Sequence, residues 1–305
     1  MTPFRPRAAR LAAPAPAALA ALAALAACNN EVAAPGPPPA FVKVVHAIAN
    51  AGPVNVVADT AGTLAANVPF GTVGPSPNFQ YFSLPSGSRQ VQVLPAAGGA
   101  AAISATLPVA SNTFSTLIAA GTVGGAGALA PAFIVLTDSV STAASEAPAA
   151  GRIRLRVVHA ASTLGPVDVH AQFVGPAAGT TPAAPRNFSA STVLFGGVPF
   201  RGAASAQVPA PITAVTTGAN PVPARNYDVC VLPAGVTPTA NGSNCAILTA
   251  LPAASAANGL TDAASGGLRR GRSVVTAIAV DPSPPGVTPA TPLRLVFTTD
   301  KPVQP

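Results

Sequence analysis

Between Arg152 and Val157 polar and apolar residues alternate strictly, with Arg152, Arg154 and Arg156 separated by Ile153, Leu155 and Val157. A period of two places the apolar set on one face of a strand and the arginines on the other. Continuing the alternation puts His159 on the apolar face. Val157-Val158-His159-Ala160 then leads to Gly165-Pro166-Val167-Asp168-Val169, which reads as a strand, a Gly-Pro break and a second strand. The same pattern lies 113 positions earlier, as Val44-Val45-His46-Ala47 and Gly52-Pro53-Val54-Asn55-Val56. In that copy Val42, Val44 and His46 take the inward positions and Lys43 points out. An ungapped match of this kind marks an internal duplication.

The chain after the first copy breaks into short apolar runs at 68–73, 79–84, 90–94, 103–109, 113–119 and 132–137, with Pro, Gly, Ser or Asn in nearly every gap. Short, closely spaced strands with turn signals predict an antiparallel sandwich. The Ala-rich pieces 96–102 and 126–130 and the Gly-rich piece 121–127 read as loops and turns. Later segments repeat at wider offsets. Val91–Ala96 returns as Val229–Ala234, and Phe133–Asp138 as Leu295–Asp300. The offset grows from 113 to 138 to 162, so the second copy carries insertions. The stretches 175–185, 209–224 and 236–244 are the candidates, expected as surface loops, where binding sites are often built. The expected fold class is all-β, with β-sandwich domains at 41–139 and 152–301 joined by a polar, Ala-rich linker at 140–151.

Residues 1–27 carry Arg5, Arg7 and Arg10 ahead of an apolar stretch that Pro14 and Pro16 interrupt. The stretch is short, which predicts a cleaved signal peptide and not a permanent span. Its end, Leu25-Ala26-Ala27-Cys28, resembles the lipobox of bacterial lipoproteins. That resemblance implies cleavage before Cys28 and lipid attachment to its thiol. Asn29 stands where such proteins carry Asp when retained at the inner membrane, so the same resemblance implies the outer membrane. Residues 28–40, with Pro35, Pro37, Pro38 and Pro39, are expected to form an extended tether of roughly 3 Å per residue.

The Val-Val-His-Ala opening, the Gly-Pro-Val-Asn/Asp-Val second strand and the segment Phe82-Ser83-Leu84-Pro85-Ser86-Gly87-Ser88-Arg89-Gln90-Val91 resemble bacterial domains of unknown function 4397. The resemblance implies exported, tandem, Ig-like antiparallel sandwiches, and no activity. The first copy follows the pattern throughout. The second follows it at both ends but runs from Val208-Pro209-Ala210 into an insertion where the family has a Pro-x-Gly turn.

Composition narrows the chemistry. Charged residues are only 8% of the 305, and the net charge of +7 falls to +4 without the three leader arginines. An exported protein with so small a charge is not expected to bind nucleic acid. The basic clusters, Arg152/Arg154/Arg156 and Arg269-Arg270-Gly271-Arg272, read as solvated surface. With Cys28 lipidated, the two other cysteines, Cys230 and Cys245, form an even pair and predict a disulfide. No nucleophile elbow, His-Glu-x-x-His, P-loop or dinucleotide fingerprint occurs. Trp is absent and only Tyr81 and Tyr227 are present, which disfavours aromatic sugar platforms. Few acidic residues leave paired carboxylates poorly supported. No metal and no cofactor is expected. His46, Gly52, Pro53, His159, Gly165 and Pro166 are expected in structural roles, the histidines as buried, hydrogen-bonded groups. His170 and Asp168 face away from His159, and Val57 takes the place of His170 in the first copy. The expectation is a lipid-anchored, non-catalytic binding, adhesion or structural module of the cell envelope. Its partners would be the membrane, through the lipid, and an envelope or extracellular protein or polysaccharide. The alternative is an envelope hydrolase or metal-dependent enzyme built on loops of the second domain.

Overall fold

The computed structural model describes residues 38–59, 61–75, 80–139, 152–174, 187–209, 226–251, 261–262, 267–268, 274–283 and 292–300. The segments expected as signal peptide, most of the tether and the linker, together with Cys28, residues 175–185 and 210–224 and Arg269–Arg272, lie outside the described residues. From Pro38 onward the chain forms one compact unit.

The first half contributes β1 (Pro39–Ala49), β2 (Val54–Ala58), β3 (Gly62–Val68), β4 (Val73–Gly74), β5 (Phe82–Pro85), β6 (Gly87–Pro95), β7 (Ile103–Val109), β8 (Thr113–Thr122) and β9 (Ala132–Ser139). The second contributes β10 (Arg152–His159), β11 (Val167–Val174), β12 (Thr192–Val198), β13 (Ala203–Pro209), β14 (Asn226–Pro233), β15 (Ile247–Ala250), β16 (Thr261–Asp262), β17 (Gly267–Leu268), β18 (Val274–Val280) and β19 (Arg294–Asp300). Each half has an inner and an outer sheet. The inner sheets run β4-β1-β8-β9, with β5 also on β1, and β13-β10-β18-β19. The outer sheets run β3-β2-β6-β7 and β12-β11-β14-β15. Most pairs are antiparallel; β1 with β8 and β10 with β18 are parallel.

Apart from the short pair β16–β17, which has no counterpart in the first half, the halves match in strand order and register. Asn55 faces Leu94 as Asp168 faces Leu232, and Ala119 faces Phe133 as Ala279 faces Leu295. One strand differs. β13 pairs with β10 without a break from Pro209 to Ala203, whereas the first half has two separate strands, β4 and β5, on β1 in its place. The apolar run 68–73, expected as a strand, is the end of β3 followed by a turn. Asn67 and Gly71 both have positive φ there, at 53° and 68°, and a Pro-Phe-Gly sequence favours a turn over a ladder.

Period-two patterning explains the two large apolar cores. Val42, Val44 and Ile48 face Val54, Val56, Val91 and Val93 between the sheets of the first half. Leu155, Val157, Val169, Val229 and Val275 do the same in the second. The third core lies between the halves, where the outward faces of the two inner sheets meet. Val45, Ala47, Ile118 and Leu136 pack there against Val158, Ala160, Ile278 and Val280.

That third layer covers the outward face on which Lys43 was expected. Its side chain does point away from its own sandwich, but it is fully buried against the second half. Nζ lies 3.2 Å from Asp300 Oδ1, donates to Thr298 Oγ1 (2.8 Å) and the Thr299 carbonyl (2.5 Å), and sits 4.2 Å from the Tyr81 ring centroid. Arg156, expected as solvated surface, is 12% exposed and bonds Asp138 at 2.7 Å. Lys43 and Arg156 are repeat equivalents, and so are Asp138 and Asp300. Each half therefore supplies the cation for one ion pair and the anion for the other, as in a two-fold interface within one chain.

Candidate functional site

His46 sits near the end of β1 with no exposed surface. The Ile48 N–H donates to its Nδ1 at 3.3 Å, so Nε2 carries the proton and donates to the Gly52 carbonyl at 2.9 Å. Phe70 meets the ring edge-on at 5.7 Å between centroids. Burial disfavours the imidazolium and pushes the pKa down to about 4, against the raising effect of the Gly52 carbonyl. The next residue, Pro53, accepts from the Ala96 N–H at 2.8 Å. The second half repeats the Nε2, aromatic and Gly-Pro contacts but not the bond to Nδ1, which on His159 is buried with no hydrogen-bond partner among the described residues. His159 Nε2 lies 2.8 Å from the Gly165 carbonyl, Phe200 is edge-on at 6.0 Å, and Pro166 accepts from Ala234 at 2.8 Å. His159 is also held below its usual pKa by burial. The six repeat residues singled out in the sequence thus come together as two equivalent clusters. Each ties the end of the first strand of its half to the turn that starts the second.

A second repeated arrangement lies one strand further out. β3 and β12 each carry a bulge, seen as a register shift between Val54/Val68 and Val56/Ala65 and between Val167/Val198 and Val169/Phe195. The bulged residues, Asn67 and Gly197, have positive φ of 53° and 60°. Their N–H groups are taken by the side chains of Asn55 (2.8 Å) and Asp168 (2.6 Å). Asp168 also accepts from the Gly235 N–H at 2.7 Å. The Gly235 and Gly197 N–H groups hold its carboxyl below the usual range.

The copies part on the outer face of the second half. His170, Cys230 and Asp228 stand where the first half has Val57, Gln92 and Gln90. Cys230 and Cys245 form the disulfide, with 5.4 Å between Cα atoms. It fastens the loop between β14 and β15 over the sheet, and Phe188, fully buried, packs beneath it with Cys230 and Leu232. Gly242 lets that loop close, since a Cβ there would come within 3.1 Å of Cys245 Sγ and of the Phe188 ring. His170 is 5% exposed. Its Nδ1 lies 3.3 Å from Ser191 Oγ, which itself donates to the Phe188 carbonyl at 2.7 Å. His170 Nε2 has no hydrogen-bond partner among the described residues, and burial lowers its pKa. His159 bonds on the opposite side of its strand, so His159 and His170 do not share a site. Among the described residues no three His, Cys, Asp or Glu side chains gather closely enough to hold a metal.

The first half has one feature of its own. Where β4 and β5 separate, an open cleft of about 320 Å³ is lined by Leu64, Ala65, Val68, Val73, Gly74 and Phe82.

Residues 40–170 match the family model "Domain of unknown function (DUF4397)". The DUF4397 match starts on β1 and ends on β11, so it takes in the first half and the first two strands of the second. No curated protein matches the chain. In DUF4397 terms the matched segment contains both histidine clusters' opening strands and both Gly-Pro turns. The ion pairs between the halves were not anticipated from sequence. Their trace was present nonetheless, because a cation recurs at 43 and 156 and an Asp at 138 and 300, at the same offsets as the strands around them.

Proposed function

We propose that this chain is a lipid-anchored cell-envelope protein whose sandwiches serve as a non-catalytic binding, adhesion or structural module. One observation carries the non-catalytic part. Apart from His170, whose Nε2 has no partner among the described residues, the polar side chains that would be expected to do chemistry are bonded to the fold itself. His46 and His159 hold Gly52 and Gly165, Asp168 holds two backbone N–H groups, and Asp300 holds Lys43. Anchoring is supported by Leu25-Ala26-Ala27-Cys28, an outer-membrane address by Asn29, and an oxidising compartment by the Cys230–Cys245 pair. Mass spectrometry of the mature N-terminus tests the anchor: a diacylglycerol-modified Cys28 is expected, and an unmodified cysteine refutes it. A pulldown from the native envelope with the tandem sandwiches as bait tests binding, a saturable partner being the expected result.

The alternative, an envelope hydrolase, draws on the closeness of His170 to Ser191. Under it, His170→Ala abolishes an activity while the fold survives. Under the favoured reading the substitution changes stability alone.

A further inference from the structure

Lys43 stands on β1 and Asp300 at the end of β19, and neither side chain has exposed surface. Nζ lies 3.2 Å from Oδ1, within the contact range in which a held nucleophile gains most from being fixed beside its target. Both carboxyl oxygens already accept from a hydroxyl. Thr116 Oγ1 donates to Oδ1 at 3.0 Å, and Thr276 Oγ1 donates to Oδ2. Arg156 Nη1 lies 4.0 Å from Oδ2 and is buried with no hydrogen-bond partner among the described residues. It is a donor in reserve beside a carboxyl oxygen, held there by the bond from Nη2 to Asp138.

The repeat shows what sets this pair apart. At the matching positions Arg156 stands against Asp138, and that pair is partly exposed. A guanidinium keeps its proton in proteins, whereas a buried amine can lose one and become a nucleophile. Lys43 and Lys301 are the only lysines in a chain with fourteen arginines, so composition alone would put arginine at 43 as it does at 156. Burial pulls the Lys43 amine below its usual pKa, and Asp300 pulls the other way. Two full charges out of water are costly even when paired. Joining them as a neutral amide removes both charges, and a site closed to water disfavours the reverse hydrolysis.

We infer that Lys43 and Asp300 condense into an intramolecular isopeptide bond, which locks the first strand of one half to the last strand of the other. The reaction needs no co-reactant. The ammonium passes one proton to the carboxylate, leaving a neutral amine and a carboxylic acid. The Nζ lone pair then forms the C–N bond at Cγ, and the carbonyl π pair moves onto oxygen, where the Thr116, Thr276 and Arg156 donors receive the charge. Nζ gives a second proton to the hydroxyl on Cγ, the C–O bond breaks and one water leaves. One N–H remains on the new amide. The ion pair is the state before this step, and its contribution to stability is separate from that of the link. The link closes residues 43–300 into a ring, so unfolding cannot part the halves. This inference stands apart from the envelope reading, because it draws on the contact between the halves and not on where the chain is held.

The test is a peptide measurement on the full chain, expressed with its leader and purified in the folded state. The protein is denatured, reduced, digested and sequenced by tandem mass spectrometry. A branched peptide joining Lys43 to Asp300, lighter by one water than the two linear peptides together, is expected as the main species. Lys43→Arg keeps the positive charge but cannot form the amide, and is expected to give linear peptides only, with a thermal melt to confirm that it folds. The wild-type sequencing decides the matter alone if that variant does not fold. Linear peptides carrying unmodified Lys43 and Asp300 from the folded wild type overturn the inference. So does a branch that maps to Lys301 or to another carboxyl group.

Discussion

His46→Gln isolates what one buried imidazole does to acid stability. The folded chain holds His46 neutral down to a pKa of about 4, whereas the unfolded chain takes up the proton near the usual 6.5. Between those values the unfolded state binds more protons, so stability falls as the pH is lowered through that window and is complete above it. Full passage from 6.5 to 4 corresponds to about 3 kcal/mol. His159, shifted in the same direction by burial, adds to the loss. Asp168 is held below the usual carboxylate range, so its own contribution is lost only at still lower pH. A Gln amide can donate to the Gly52 carbonyl in place of Nε2 but does not titrate. Urea denaturation at pH 7.5, 6, 5 and 4.5, followed by far-UV circular dichroism, reads the effect. Wild type is expected to lose stability steeply below pH 6.5. His46→Gln should flatten that slope by up to about 3 kcal/mol, and the His46→Gln/His159→Gln variant should flatten it further. Equal slopes in wild type and the double variant would show that the proton uptake comes from elsewhere and refute the argument.

Three other outcomes follow from the geometry. Lys43→Met leaves Asp300 buried, with Arg156 Nη1 at 4.0 Å as its nearest cation, and is expected to cost about 3 kcal/mol in denaturant unfolding; Asp138→Asn breaks the partly exposed pair and costs about 1 kcal/mol. Replacing Cys230 and Cys245 by Ser opens a loop of 15 residues and is expected to lower stability by about 3 kcal/mol, with hydrogen exchange rising first in 234–246. Asp168→Ala strands the N–H groups of Gly197 and Gly235 and is expected to cost about 2 kcal/mol. Asn55→Ala, which strands one N–H, should cost about half of that by the same melts.

The inward faces were legible because burial on one side of a sheet writes itself as period two. Val42, Val44 and His46 and their partners Leu155, Val157 and His159 show it directly. β3 was missed for a local reason. Its bulge at 66–67 breaks the alternation that would have announced it, and the same bulge in β12 falls at Gly196-Gly197. The burial of Lys43 was not legible for a different reason. Alternation assigns a side chain to one face of its own sheet and is silent on whether another sheet covers that face. Only the duplication speaks to that. When two copies meet about an approximate two-fold axis, a contact between one position and another occurs twice with the roles exchanged. A cation at 43 facing an Asp at 300 then requires a cation at 156 facing an Asp at 138. In a chain with 8% charged residues, matched charge signs at two pairs of repeat positions are hard to maintain unless those positions touch. The repeat offsets thus encode the packing of the halves on each other as well as the strands within each.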